Sequence, residues 1–290
     1  MRRKWNWLLV SAMILVLVSG CGQLNIDAEG MKKLTPKEVL IKAEHAAENA
    51  KGFSYKATGN QTIEIEAGGQ TQSVDQTIEA KLEMTNKPQA MHTTTTIHSE
   101  GQQITGEMYL VGNEIYQQTV DGSGWIKSKA PDLGSADNSQ NPNQALQKLE
   151  ELLGKLQTPE EKKMLKMTET ADAYLLEINV NEQTTHKIKD VFLEEVKAAM
   201  LPQLQQAGVP VDAAQIKLHQ FTQKITIDKK TFKQTKVVQE IKMDIPINDP
   251  SASGVLKASQ KTEMNLVGEF NGTITVPEDV KNSAQEVQVQ

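Results

Sequence analysis

The chain has 290 residues, with 37 acidic and 31 basic side chains and a formal net charge of −6. That balance excludes nucleic acid and anionic headgroups as partners held by bulk charge. Every basic residue after Arg3 is Lys, so the bidentate grip that Arg offers phosphates is missing from the body of the chain. Aromatics are scarce at 4%, while Met is common at 11 residues, which predicts an aliphatic, Met-filled interior.

Arg2, Arg3 and Lys4 form a charged start, and Trp7 to Val18 form an apolar run broken only by Ser11. Ser19 and Gly20 are small and Cys21 follows at once. This is the layout of a secretory signal peptide. The run is shorter than the about 20 residues a transmembrane helix needs. Val18-Ser19-Gly20-Cys21 resembles the lipobox of bacterial lipoproteins. The resemblance implies that the thiol takes a diacylglyceryl group, that residues 1–20 are removed and that Cys21 becomes the first mature residue. The alternatives are an uncleaved anchor or a plain signal peptide with an incidental Cys. Two acyl chains suffice for stable anchoring. Since Cys21 is the sole cysteine, its lipidation leaves no thiol for disulfides, catalysis or metals.

Residues 21–34 read as a lipidated N-terminus and tether. Thr35-Pro36-Lys37-Glu38 predicts a helix start, with Thr as N-cap, Pro at the first helical position and Glu at capping-box spacing. Val39, Leu40, Ala43, Ala46, Ala47 and Ala50 supply its apolar stripe and Gly52 its end. Alternating segments then run from Phe53 to Ile65, Val74 to Met84, Met91 to Ile97 and Ile104 to Leu110. Ile115-Tyr116 and Trp125-Ile126 follow as a hairpin. Turn residues separate them at Gly68-Gly69, Asn86-Lys87-Pro88, Glu100-Gly101 and Gly112-Asn113. The pattern predicts an antiparallel meander with one apolar face.

Residues 129–143, rich in Pro, Asn, Ser, Asp and Gly, read as a loop. Asn143 to Leu156 reads as an amphipathic helix, and Thr158-Pro159-Glu160-Glu161 starts another. Ala173 to Val180 is a strand. Residues 184–206 are helical, with Pro202 expected to bend or interrupt them. Ile216–Ile227, Val237–Ile245 and Leu256–Phe270 are strands, and residues 277–290 read as a polar tail. Helix, strands, helices, strands is an α+β order, not the alternation of a doubly wound sheet. One domain over residues 35–276 is expected, because neither half carries enough large apolar residues for its own core; the alternative is a split at the 129–143 loop.

The lipobox, the Thr-Pro-x-Glu helix and the strands opening at Phe53-Ser54-Tyr55 resemble the LolA-like lipoprotein superfamily. Ile225 to Phe232 is similar to the hairpin of such proteins, whose turn runs from Asp to Thr as Asp228 to Thr231 do. The layout is most like uncharacterised Gram-positive surface lipoproteins. The resemblance implies a large curved antiparallel sheet, a half-open barrel, clasping several helices around an apolar cavity. It implies binding of lipids or lipoproteins, or envelope-stress sensing. The Arg of lipoprotein carriers has no counterpart after Arg3, which speaks against shuttling.

No H-E-x-x-H, G-x-S-x-G, P-loop or dinucleotide fingerprint occurs. His92 and His98 share a strand face but stand roughly 20 Å apart, too far for one metal. His186 and Asp190 lack a third ligand. Glu150-Glu151, Glu160-Glu161 and Glu194-Glu195 read as solvated helix faces, and the Thr93–Thr96 run as an exposed strand. No enzyme, cofactor, metal site or nucleic-acid partner is expected. The expected body is an extracytoplasmic binder of a lipid or other amphiphile, anchored to the cell membrane. Its candidate lining is Val74, Ile78, Leu82, Met84, Ile104, Met108, Leu110, Val237, Ile241, Met243, Met264 and Leu266. The alternative is an envelope protein-interaction or stress-sensing scaffold with this face filled. A Cys21→Ser chain should lose incorporation of radiolabelled lipid when expressed in a bacterium; retained label would refute the lipobox reading.

Overall fold

The computed structural model describes residues 33–67, 69–119, 122–129, 165–206, 209–248 and 254–286. The expected signal peptide, Cys21, most of the tether, and the loop and helices expected between residues 130 and 164 lie outside the described residues.

Helix α1, Pro36–Asn49, begins as the sequence predicts. Thr35 Oγ1 accepts from the Glu38 amide at 3.2 Å, and the Glu38 carboxylate accepts from the Thr35 amide at 2.7 Å. Its last turn is held from the sheet. Asn86 Nδ2 donates to the carbonyls of Ala47 at 2.7 Å and Ala50 at 2.9 Å, satisfying acceptors that a helix end leaves open. Gly52 then turns the chain into the first strand. A Cβ there would collide with the Met84 carbonyl oxygen, so only glycine permits the approach.

The strands are β1 Gly52–Ala67, β2 Gln70–Asn86, β3 Gln89–Ser99, β4 Gln102–Val111, β5 Glu114–Gln118, β6 Trp125–Lys129, β7 Leu165–Glu169, β8 Ala173–Val180, β9 Lys217–Asp228, β10 Gln234–Ile247, β11 Gly254–Glu269 and β12 Gln285–Glu286. Helix α2, His186–Gln206, follows β8, and helix α3, Glu278–Ser283, follows β11. The strands form one 12-stranded sheet ordered β12-β6-β5-β4-β3-β2-β1-β11-β10-β9-β8-β7. Every pairing is antiparallel except β12 with β6. The edge strands β7 and β12 do not pair with each other, so the sheet is open. The two halves of the chain meet where β1 pairs with β11.

The turns carry the chemistry their geometry needs. Glu100 and Gly101 both adopt positive φ, at 50° and 78°, as a two-residue hairpin with right-handed twist requires. Between β9 and β10, Asp228 Oδ1 accepts from the Thr231 amide and the Thr231 hydroxyl, both at 2.7 Å. Those bonds favour the ionised carboxylate and lower its pKa.

The largest apolar cluster joins helices to sheet. Val39, Leu40 and Ala43 of α1 and Ile188, Phe192, Val196, Met200 and Leu204 of α2 pack with inward residues of β8 to β11 and with Ile63 and Ile65 of β1. A second cluster covers the other end of the same face, from Phe53, Tyr55 and Ala57 through Leu82, Met84, Met91 and Leu110 to Val237 and Met264. Ala47 of α1 and Ala50 at its C-cap close over it. A third lies on the opposite face, where Tyr109 and Tyr116 meet Ile274, Val276 and Val280.

Several expectations change, and one strand is added. Residues 277–290 were expected as a polar tail, yet residues 278–286 form α3 and β12, with Val280 buried. The physical cause is an exposed aromatic surface on β4 and β5 that the segment covers. Strand β7 had no clear sequence signal; it exists by pairing with β8 at the sheet edge. Helix α2 continues through Pro202 without interruption. The expected clasp of several helices reduces to an open sheet with three α-helices among the described residues, of which α1 and α2 share its main cluster.

The period of β8 yields a sharp test. Leu176 is 1% exposed and its neighbour Leu175 is 37% exposed on the other face. Leu176→Ala should cost about 2–5 kcal/mol in chemical denaturation, and Leu175→Ala under about 0.5 kcal/mol.

Candidate ligand-binding face

The register places every residue of the candidate lining on one face of the sheet. Met84 stands opposite Met91, and Met91 opposite Leu110. Leu82 stands opposite Tyr55, and Tyr55 opposite Leu266. Ala57 stands opposite Met264, and Met264 opposite Val237. Leu82, Met84, Leu110, Val237 and Met264 share the second cluster, with Met108 and Leu266 packed against it. Ile241 and Met243 belong instead to the helix-covered cluster. Ile78 is buried, while Val74 and Ile104 are half-buried. The lining is therefore divided between two apolar regions.

What divides it was missed in the sequence. Gln61, Gln76, Gln223, Gln239, Gln260, Thr262 and Ser99 are all buried, and the pairing joins them into a belt on the same face. Ser99 stands opposite Gln76, Gln76 opposite Gln61 and Gln61 opposite Gln260. One pleat along, Thr262 stands opposite Gln239 and Gln239 opposite Gln223. The two rows join on β11, where Gln260 Nε2 donates to Thr262 Oγ1 at 3.2 Å. Spanning six strands, the belt is roughly 24 Å long at the usual interstrand spacing. On β1, β10 and β11 it separates the two apolar clusters. Gln239 stands between Val237 and Ile241 in an otherwise apolar alternation, and that interruption was the signal available in the sequence.

Gln61 Oε1, Gln223 Nε2 and Gln239 Nε2 have no hydrogen-bond partner among the described residues. Orphaned buried amides are costly, so each points to a group that completes it. Glu44 lies on the stripe of α1 that faces the sheet and is 2% exposed, between the residues touching one cluster and those touching the other. Tyr55, inside the second cluster, has its phenol pKa raised by burial.

The histidines lie elsewhere. His92 stacks on Tyr109 at 4.4 Å on the outer face and sits 3.8 Å from Glu83 and 3.6 Å from Glu107. Burial, with Glu107 beside it, pushes the Tyr109 phenol up to about 12. His219 lies between Glu182 at 3.3 Å and Asp244 at 3.0 Å, one on each ring nitrogen, an arrangement that cannot close around one metal. Asp244 also borders an open depression of about 400 Å³ with Lys217, Gln215 and Asn248. That depression contains none of the candidate lining residues. The Thr93–Thr96 run, expected to be exposed, is half-buried.

Residues 35–285 match a family of unknown function (DUF6612), and the chain belongs to that family. No curated protein matches it. Among solved structures it is similar to a LolA superfamily protein from Nitrosomonas europaea, at 10% identity over 86% of this chain and 97% of that one, with a TM-score of 0.21. It is also similar to a putative outer membrane lipoprotein-sorting protein domain from Vibrio parahaemolyticus, at 8% identity over 85% and 96% of the two chains, with a TM-score of 0.25. A beta-barrel-like protein from Brucella abortus follows at 9% identity over 76% and 100%, with a TM-score of 0.22. Superpositions this loose carry no argument about fold or ligand.

The orphaned amides make a stability prediction. Gln223→Met keeps the side chain's length and removes an unmet donor in a site 1% exposed. It should raise unfolding stability by about 1 kcal/mol in a denaturant titration; a loss of similar size would mean that the amide is satisfied in the free protein.

Proposed function

We propose that this chain is an extracytoplasmic lipoprotein, anchored to the membrane through Cys21, that binds a lipid or other amphiphile between the inner face of its sheet and its helices. The observation that carries this reading is the belt of buried, partly unpartnered amides across a face otherwise built of aliphatic side chains. An amphiphile has the same division: chains that suit the clusters and a polar head that suits the amides. The apolar and Met-rich lining adapts to flexible chains. The Val18-Ser19-Gly20-Cys21 motif supports anchoring and an extracytoplasmic location.

The role is one of holding, not catalysis. Amide and hydroxyl groups dominate the polar part of this face, and neither exchanges protons readily near neutral pH. The proposal stands on the face itself.

Native mass spectrometry of residues 22–290, purified without detergent, should show a co-purifying species of lipid mass or uptake of added lipid. A chain that carries none and takes up none would point instead to an envelope interaction or stress-sensing scaffold with a filled core.

A further inference from the structure

The amide belt specifies the ligand's head as well as its position; this step rests on the amphiphile-binding role proposed above. Gln61 Oε1 requires a donor, and Gln223 Nε2 and Gln239 Nε2 each require an acceptor. Their side chains are 5%, 1% and 5% exposed, so bulk water does not supply these partners. Gln223 and Gln239 are direct neighbours in the register, and Gln61 lies on β1, two strands from Gln239 along the same belt. Gln239 stands directly opposite Gln223 on one side and Thr262 on the other. Thr262 is one pleat from Gln260, which stands opposite Gln61. Gly59 faces Thr262 across β1 and β11, and a Cβ there would lie 3.3 Å from Thr262 Oγ1. The glycine thus lets the Thr262 hydroxyl and the Lys261 carbonyl, 3.2 Å from that same Cβ, approach β1 closely.

The charges define the rest. Lys residues on the belt strands, including Lys56, Lys224, Lys236 and Lys261, alternate with the inward residues and so project from the opposite face. The ionisable residue buried on the α1 stripe facing the sheet is acidic, Glu44. Among the described residues, no lysine of the belt strands is therefore placed to compensate a buried carboxylate or phosphate, and burying an anion unpaired costs far more than a hydrogen bond returns.

We infer that the ligand has an uncharged head bearing both hydroxyl donors and carbonyl or ether acceptors, of the acylglycerol kind. Gln61, Gln223 and Gln239 grip that head, and the acyl chains lie along the flanking aliphatic clusters. A free fatty acid or an anionic phospholipid leaves its charge unmet against the same amides.

The test holds the full chain in lipid-free amphipol and titrates it with radiolabelled glycerol monooleate, oleate or dioleoylphosphatidylglycerol. Glycerol monooleate should bind at least about tenfold more tightly than either anion, and the Gln61→Met, Gln239→Met double variant should lose about tenfold in that affinity. The variant's binding of oleate should change by less than about twofold. Equal affinity for the three lipids, or full glycerol monooleate affinity in a double variant that still melts cooperatively, overturns the inference and leaves amphiphile binding intact. No uptake of any of the three overturns both. The comparison of lipids on the unaltered chain decides the matter even where the variant fails to fold.

Discussion

The structure depends on the pairing of β1 with β11, segments nearly two hundred residues apart in the chain. Phe53 to Ala67 lies against Glu269 to Gly254. Without that ladder the first six strands and the strands from β7 to β11 would be two open sheets, each with a bare central edge. With it, Ile63 and Ile65 enter the cluster built by α1, α2 and the C-terminal strands. Ala57 likewise meets Met264 and Val237 in the second cluster. A one-residue slip would turn the inward set of either half outward, so the buried face itself enforces the register. Closing so long a loop carries an entropic cost that the shared buried face must offset.

The same register aligns the amides. Gln61, Gln239, Gln223 and Gln260 come from four strands, β1 and the consecutive β9, β10 and β11. A sheet selected only for stability would place aliphatic residues there, because each buried amide without a partner costs free energy. Their presence at adjacent positions separates this face from a plain aliphatic core. The outer face follows different physics. Its ion pairs, such as Lys261 with Glu240 at 2.7 Å and Lys236 with Glu263 at 2.7 Å, sit in solvent and contribute little each. They keep the exposed side of these long strands charged and solvated.

The C-terminal segment shows how exposure of one element recruits another. Tyr109 and Tyr116 project from the outer face, where the meander alone would leave them to solvent. Ile274, Val276 and Val280 cover them, and Trp125 and Phe270 pack at the margin. The residues around these apolar positions are polar, so composition suggests a tail. The burial arises only because the aromatic patch already exists on β4 and β5.

Much of this protein is determined by its sequence alone. The capping box at Thr35, the alternating strands, the Asp228 turn and the α+β order are local patterns with local causes, and the structure has them at the expected residues. The proposed lipobox, Val18-Ser19-Gly20-Cys21, is likewise a pattern of adjacent residues. Which face each strand presents was also legible, since alternation has a period of two wherever one side is buried. The order of strands in the sheet, the recruitment of β7 and of the C-terminal segment, and the alignment of the glutamines were decided by tertiary structure. Those features depend on which strand becomes a neighbour, and neighbours such as β1 and β11 are chosen by the burial of a shared face, a quantity that no single segment carries.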